Sequence, residues 1–291
     1  MKPLKPSDEI LLISTARKVC HEEISHSIQI LTSWGLKVTL GKNIYGEDNQ
    51  FAGSDAQRIE DLQWALDHPD AKAILCTRGG YGTSRLIDYI NFQSFAKCPK
   101  WLIGFSDITI LHQHINSLGY PSIHGTMPIL FSNPEATSTL KEALFKPNYQ
   151  LKTKSHPFNK KGTASGEIVG GNLTLILHGL ATQSEIDTNE KILFIEEVDE
   201  YLYHVDRMML QLKRAKKLSN LKALIVGSFS KMNDNNIPYG KNIYEIILEH
   251  TQEFHYPICF DFPSGHLEDN HSLIFGKVCS LSIEDNVELK Y

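Results

Sequence analysis

The chain has 291 residues, 41% hydrophobic and 22% charged, the balance of a globular protein with a substantial core. Its 29 Lys and Arg against 34 Asp and Glu leave a formal net charge of -5. That mild acidity gives no electrostatic reason to expect nucleic acid or an anionic membrane surface as a partner.

The opening "MKPLKPSDEILLISTARKV" carries one short apolar run before Arg17 and Lys18, shorter than a secretory signal requires. No stretch approaches the roughly 18 apolar residues of a membrane span. Cys20, Cys76, Cys98, Cys259 and Cys279 are scattered, odd in number and without C-x-x-C spacing. Reduced thiols in a cytoplasmic protein are the expectation.

The first half alternates strand-like and helix-like segments. "EILLIST" reads as a buried strand. "CHEEISHSIQILTSWG" reads as a helix with Ile24, Ile28 and Leu31 on one face and Gly35 as its stop. "LKVTL" is a second strand. "SDAQRIEDLQWALDHPD" is a helix started by Ser54 or Asp55 and ended at Pro69. "AKAILCT" is a third strand, followed by "RGGYGTSRLIDYI", a glycine loop expected to run into a helix. "PKWLIGF" is a fourth strand and "DITILHQHINSLGY" its helix. This alternation predicts an α/β fold, with an N-terminal parallel, Rossmann-like sheet over residues 1–132.

Residues 133–162 are polar and carry prolines and lysines, so a domain linker is expected there. Residues 163–291 are expected to form a smaller C-terminal α/β domain rich in strands. Within it, "KILFIEEVDE", "LKALIVGSFS" and "YPICFDFPSGH" read as strands, with helices at "YHVDRMMLQLKRAKKL" and "KNIYEIILEHTQ". The closing "SLIFGKVCSLSIEDNVELKY" reads as a hairpin that turns at Glu284–Asn286.

Three features fall at strand ends, where sites gather in an α/β scaffold. Ser106, in "GFSD", is either the cap of the following helix or a nucleophile exposed by a strand-to-helix turn. The local pattern favours the cap, because Ile108 occupies the last glycine position of G-x-S-x-G. "TRGGYGTSR" is either a tight turn, a phosphate-binding loop or a donor to an oxyanion; its spacing matches neither G-x-G-x-x-G nor the P-loop. In "IEEVDE", side-chain alternation prevents Glu196 and Glu197 from facing the same side. Among the histidines, His112 and His114 do not share a helix face, and His266 stands in a loop.

Taken in order, "RGGYGTSRLID", "GFSD", "HGTMP", "GGNLTLI", "LFIEEVDEYLYHVDRMMLQL", "VGSF" and "FPSGH" resemble the signature blocks of the LD-carboxypeptidases, serine peptidase family S66. The resemblance spans nearly the whole chain. It implies a Ser-His-Glu triad of Ser106, His266 and Glu196, on an interface between two domains. It also implies an oxyanion hole from the Gly80 and Asp107 N–H groups. The family's usual Leu-Glu-Asp reads Glu-Glu here through Glu197, and Thr126 stands where proline is frequent. The implied activity removes D-alanine from the end of a cytoplasmic murein tetrapeptide in peptidoglycan recycling, without cofactor or metal and in a homodimer. Arg78 or Arg207 is expected to meet the substrate carboxylate, unless each makes only an ion pair. Two alternatives stand beside this expectation. One is an immunity-type relative that cleaves a peptide-nucleotide antibiotic; the other is a non-enzymatic protein that binds phosphate or nucleotide at the glycine loop.

Overall fold

A computed structural model describes all residues 1–291. The first half runs β1 (Glu9–Ile13), α1 (His21–Ser33), β2 (Lys37–Leu40), α2 (Asp55–Asp67), β3 (Ala73–Cys76), α3 (Gln93–Lys97), β4 (Trp101–Gly104), α4 (Thr109–Ser117), β5 (Ser122–His124) and α5 (Pro134–Phe145). The second runs β6 (Gln150–Lys154), β7 (Gly162–Asn172), α6 (Leu173–His178), β8 (Ile192–Val198), α7 (Leu202–Arg214), β9 (Ala223–Ser230), α8 (Ile243–Thr251), β10 (Ile258–Cys259), β11 (Leu273–Phe275), β12 (Val278–Ile283) and β13 (Asn286–Lys290).

Strands β3 and β4 are buried along their whole length, as their unbroken apolar sequences require of strands covered by helices on both faces. With β1, β2 and β5 they form a parallel sheet in the order β2-β1-β3-β4-β5, and β11 adds an antiparallel edge beside β5. The order reverses between β1 and β3. Doubly wound sheets open a crevice at such a switch point, outside the carboxyl ends of the strands.

The second sheet has the order β10-β9-β8-β7-β12-β13-β6. Its β7–β10 side is parallel, and its β12, β13 and β6 side antiparallel. One hydrophobic cluster of 34 buried residues takes members from both sheets, among them Ile10, Ile103, Ile168, Phe194 and Phe275. The halves are therefore packed on a common core. Helix α4 seals the joint against β7: a Cβ at Gly171 would come within 2.5 Å of the Thr109 side chain, and the Asn172 N–H donates to Thr109 Oγ1 at 3.0 Å.

Three expectations change. Residues 133–162 are not a bare linker, because they contain α5 and β6. Asn133 caps α5 by accepting from the Ala136 N–H, Pro134 opens its first turn, and Leu140 and Leu144 enter the core. Strand β6 is polar because it is an edge, burying Leu151 between exposed Gln150 and Lys152. The boundary at 163 is also crossed, since β11 returns from the second half to complete the first sheet. Finally, the glycine loop enters two 3-10 turns, Thr83–Arg85 and Ile87–Tyr89, rather than a continuous helix.

Candidate active site

Ser106 follows β4 on a sharp turn. Phe105 is extended at φ -151°, whereas Ser106 takes φ +63°, a left-handed conformation that costs a non-glycine residue about 1–2 kcal/mol. A 3-10 turn over Ser106–Ile108 then leads into α4. The Ser106 hydroxyl caps nothing: only its carbonyl oxygen is used by the helix start, accepting from the Thr109 N–H. Its Oγ lies 3.0 Å from His266 Nε2.

His266 comes from the loop after β10, and that loop is bound at each step. Phe262 N–H donates to the Val226 carbonyl, Gly265 N–H to Asn270 Oδ1, and the Ser230 hydroxyl to the His266 carbonyl. Phe105 packs edge-on against the imidazole, with centroids 5.0 Å apart. His266 Nδ1 stands 2.6 Å from Glu196 Oε2, which also accepts the His266 backbone N–H at 3.2 Å. An ionised carboxylate only accepts, so Nδ1 carries the ring proton and Nε2 is free to accept from the Ser106 hydroxyl. Burial works against an imidazolium here. The Glu196 charge and hydrogen bond outweigh it, and His266 is held above its ordinary pKa.

Glu196 lies two residues before the end of β8 with its side chain completely buried. A register irregularity between Ile195 and Glu197 marks that end of the strand. Glu197 is also buried, and its carboxylate accepts from Asn172 Nδ2 at 2.7 Å, Thr174 N–H at 2.8 Å and Val198 N–H at 3.0 Å. Burial pushes Glu197 up from its ordinary range, and the neighbouring Glu196 charge adds to that. It ties β8 to the start of α6, while Glu196 faces the histidine.

The glycine loop lies directly over the serine. A Cβ at Gly79 would stand 3.0 Å from Ser106 Cβ and 3.2 Å from Oγ, so a side chain there would press on the serine. Gly80 takes φ +112°, and its N–H makes no hydrogen bond within the protein. Together with Ser106 and His266 these glycines line an open cavity of about 550 Å³.

Of the two arginines expected at the substrate, Arg78 lines this cavity and pairs with Glu23 at 3.5 Å. Arg207 does not line it; on the exposed face of α7 its guanidinium stacks over Tyr203 at 5.2 Å. Sequence reasoning missed two cations that do line it, Arg17 and Lys231, neither of which makes a salt bridge. Arg17 was findable: it follows β1, and the loops after β1 and β3 flank the switch point. Lys231 gave no such signal, because it follows β9 in the second half and lines a cavity whose other cations come from the first.

The arrangement can deprotonate a serine hydroxyl and stabilise the resulting imidazolium. Comparison with known proteins shows the family of the chain. The LD-carboxypeptidase N-terminal domain profile of peptidase family S66 matches residues 10–125, and the corresponding C-terminal domain profile matches residues 165–281. A probable murein peptide carboxypeptidase of Bacillus subtilis is 30% identical over 97% of this chain and 91% of its own length. The murein tetrapeptide carboxypeptidase of Pseudomonas aeruginosa is 27% identical over 94% and 92%. The crystal structure of muramoyltetrapeptide carboxypeptidase from Oxalobacter formigenes superposes with a TM-score of 0.88 at 27% identity, covering 97% of this chain and 98% of that one. Structures of the microcin C7 self immunity protein MccF share the fold at 19% identity, with a TM-score of 0.88 over 99% and 97% of the two chains. On two domain profiles that together cover most of its length, the chain belongs to the LD-carboxypeptidase family S66 and is a serine-type hydrolase.

Proposed function

We propose that the protein is an LD-carboxypeptidase that releases the C-terminal D-alanine of murein tetrapeptide and so acts in cytoplasmic peptidoglycan recycling. One observation carries the reading: an unbroken line of contacts from Ser106 Oγ through the His266 ring to Glu196 Oε2, at 3.0 and 2.6 Å.

In this reading Ser106 attacks the carbonyl of the bond before D-alanine while His266 Nε2 takes its proton. Glu196 holds the ring in the required tautomer and stabilises the imidazolium. The Gly80 and Asp107 N–H groups receive the oxyanion, where one donor is worth about 3–4 kcal/mol. Collapse expels D-alanine, whose nitrogen takes the proton from His266. Water, deprotonated by the same histidine, then cleaves the acyl-serine ester and restores the hydroxyl. Arg17, Arg78 and Lys231 supply the positive charge that the substrate's terminal carboxylate requires, and Arg17 is the best placed because it packs against Gly80.

The decisive assay incubates wild type and Ser106→Ala with murein tetrapeptide and measures free D-alanine. Release by the wild type alone is expected. No release from wild-type protein, or equal release from both, would defeat the reading.

A further inference from the structure

Asp107 is the one buried carboxylate at the nucleophile turn that the triad leaves unused. It is 1% exposed, and its Oδ2 accepts the Thr83 N–H at 2.8 Å, across 24 residues of sequence. Thr83 is the first residue of the 3-10 turn that closes the glycine loop. Its Oγ1 lies 3.0 Å from Thr15 Oγ1, and the Thr15 carbonyl accepts from Arg58 Nη1 at 2.9 Å. Arg58 is itself only 1% exposed, and a Cβ at Gly82 would collide with its guanidinium. A buried polar network therefore runs from the nucleophile turn, through the carboxylate, to the loop that carries Gly80. Burial raises Asp107 above its ordinary range, against the Thr83 donors and the Arg58 charge that lower it.

Two segments far apart in sequence have to hold their N–H groups at one spacing if a single oxyanion is to meet both. Nothing in the backbone ladder does this, since β3 and β4 end at Cys76 and Gly104, before either donor. We infer that the Asp107 side chain is the positioning group that clamps the Gly79–Gly82 loop to the Ser106 turn and thereby sets the separation of the Gly80 and Asp107 N–H groups. The inference rests on the proposed reading of Ser106, and its test separates the two.

Asp107→Ala and Asp107→Asn are compared with wild type and Ser106→Ala on murein tetrapeptide. The Asn side chain still offers an amide oxygen to the Thr83 N–H, and Ala offers nothing. Asp107→Ala should lower kcat by about 100-fold, the loss typical of a misplaced oxyanion donor, with KM within about threefold. Affinity for a peptide boronate, which builds a tetrahedral anion on the serine, should fall in step, while affinity for the product tripeptide holds. Asp107→Asn should recover most of the lost kcat and boronate affinity. Amide hydrogen exchange over residues 78–85 reads the clamp without turnover: protection should be lost in Asp107→Ala and kept in Asp107→Asn. If Asp107→Ala does not fold, Asp107→Ser, whose hydroxyl is too short to reach Thr83, takes its place. Lost protection with kcat intact would overturn the inference, as would an Asp107→Asn protein as slow as Asp107→Ala. Activity surviving in Ser106→Ala would instead sink the reading of the nucleophile, leaving hydrogen exchange to judge the clamp.

Discussion

The two halves contribute to the site in different ways. The first supplies shape: a left-handed serine, a glycine whose missing side chain would press on that serine, and a loop whose backbone must pass close by. The second supplies charge: a fully buried glutamate, a histidine held above its ordinary pKa, and a second buried carboxylate that anchors the strand end. A site divided in this way should fail differently on its two sides. Substitutions in the first half should act through fit, and those in the second through protonation.

The largest effect is expected at the junction. Ser106→Ala should lower kcat by at least about 10⁴-fold with the melting curve preserved, as measured by D-alanine release and calorimetry. Glu196→Gln should follow, with a loss of about 10⁴-fold or somewhat less, because the amide mis-sets the histidine tautomer. It should also move the pH profile. His266 accepts a proton only when neutral, so kcat/KM in the wild type rises with pH through a pKa above the ordinary histidine value. Without the Glu196 charge and hydrogen bond, burial is opposed only by the Glu197 charge, and that acidic limb shifts to lower pH. An unmoved limb in Glu196→Gln would break the proposed division of labour.

Gly79→Ala tests the shape side. Its methyl group intrudes on Ser106, so kcat should fall by about 100-fold with no shift of the acidic limb, checked by the same pH series. Phe194→Ala tests the common core, where Phe194 packs beside Phe275 at 6.0 Å between centroids. A loss of about 3–5 kcal/mol in one cooperative unfolding transition is expected, and two resolved transitions would show that the halves are energetically separate. The smallest contrast lies between cations. Arg17→Ala should raise KM by about tenfold for a free C-terminal carboxylate and leave a C-terminal amide peptide unchanged, whereas Arg207→Ala should change neither.

Much of this was legible in the residues. The β3 and β4 segments announced themselves because strands covered on both faces need unbroken apolar runs. The polar stretch at 133–162 was misleading, since an edge strand and a half-exposed helix share the composition of a linker. The glycine loop was expected to open a helix, but left-handed glycines and the Thr83–Asp107 bond close it in 3-10 turns. Glu197 illustrates a further limit. Alternation along the strand set it apart from Glu196, yet could not say that Asn172 and Thr174 would cover it.

Local sequence determined the alternation of strand and helix, the turn at Ser106 and, through family motifs, which residues to watch. It could not choose between a helix cap and a reactive hydroxyl. That choice depends on which group stands 3.0 Å from Ser106 Oγ, and the histidine found there is 160 residues away. Nor could it rank Arg17 above Arg207, because a guanidinium's role follows from what faces it. Backbone propensity and hydrophobic period are properties of neighbouring residues, so they can be read along the chain. The contacts that bring Ser106, His266 and Glu196 together, and seat Asp107 against Thr83, exist only once both sheets have buried their shared core.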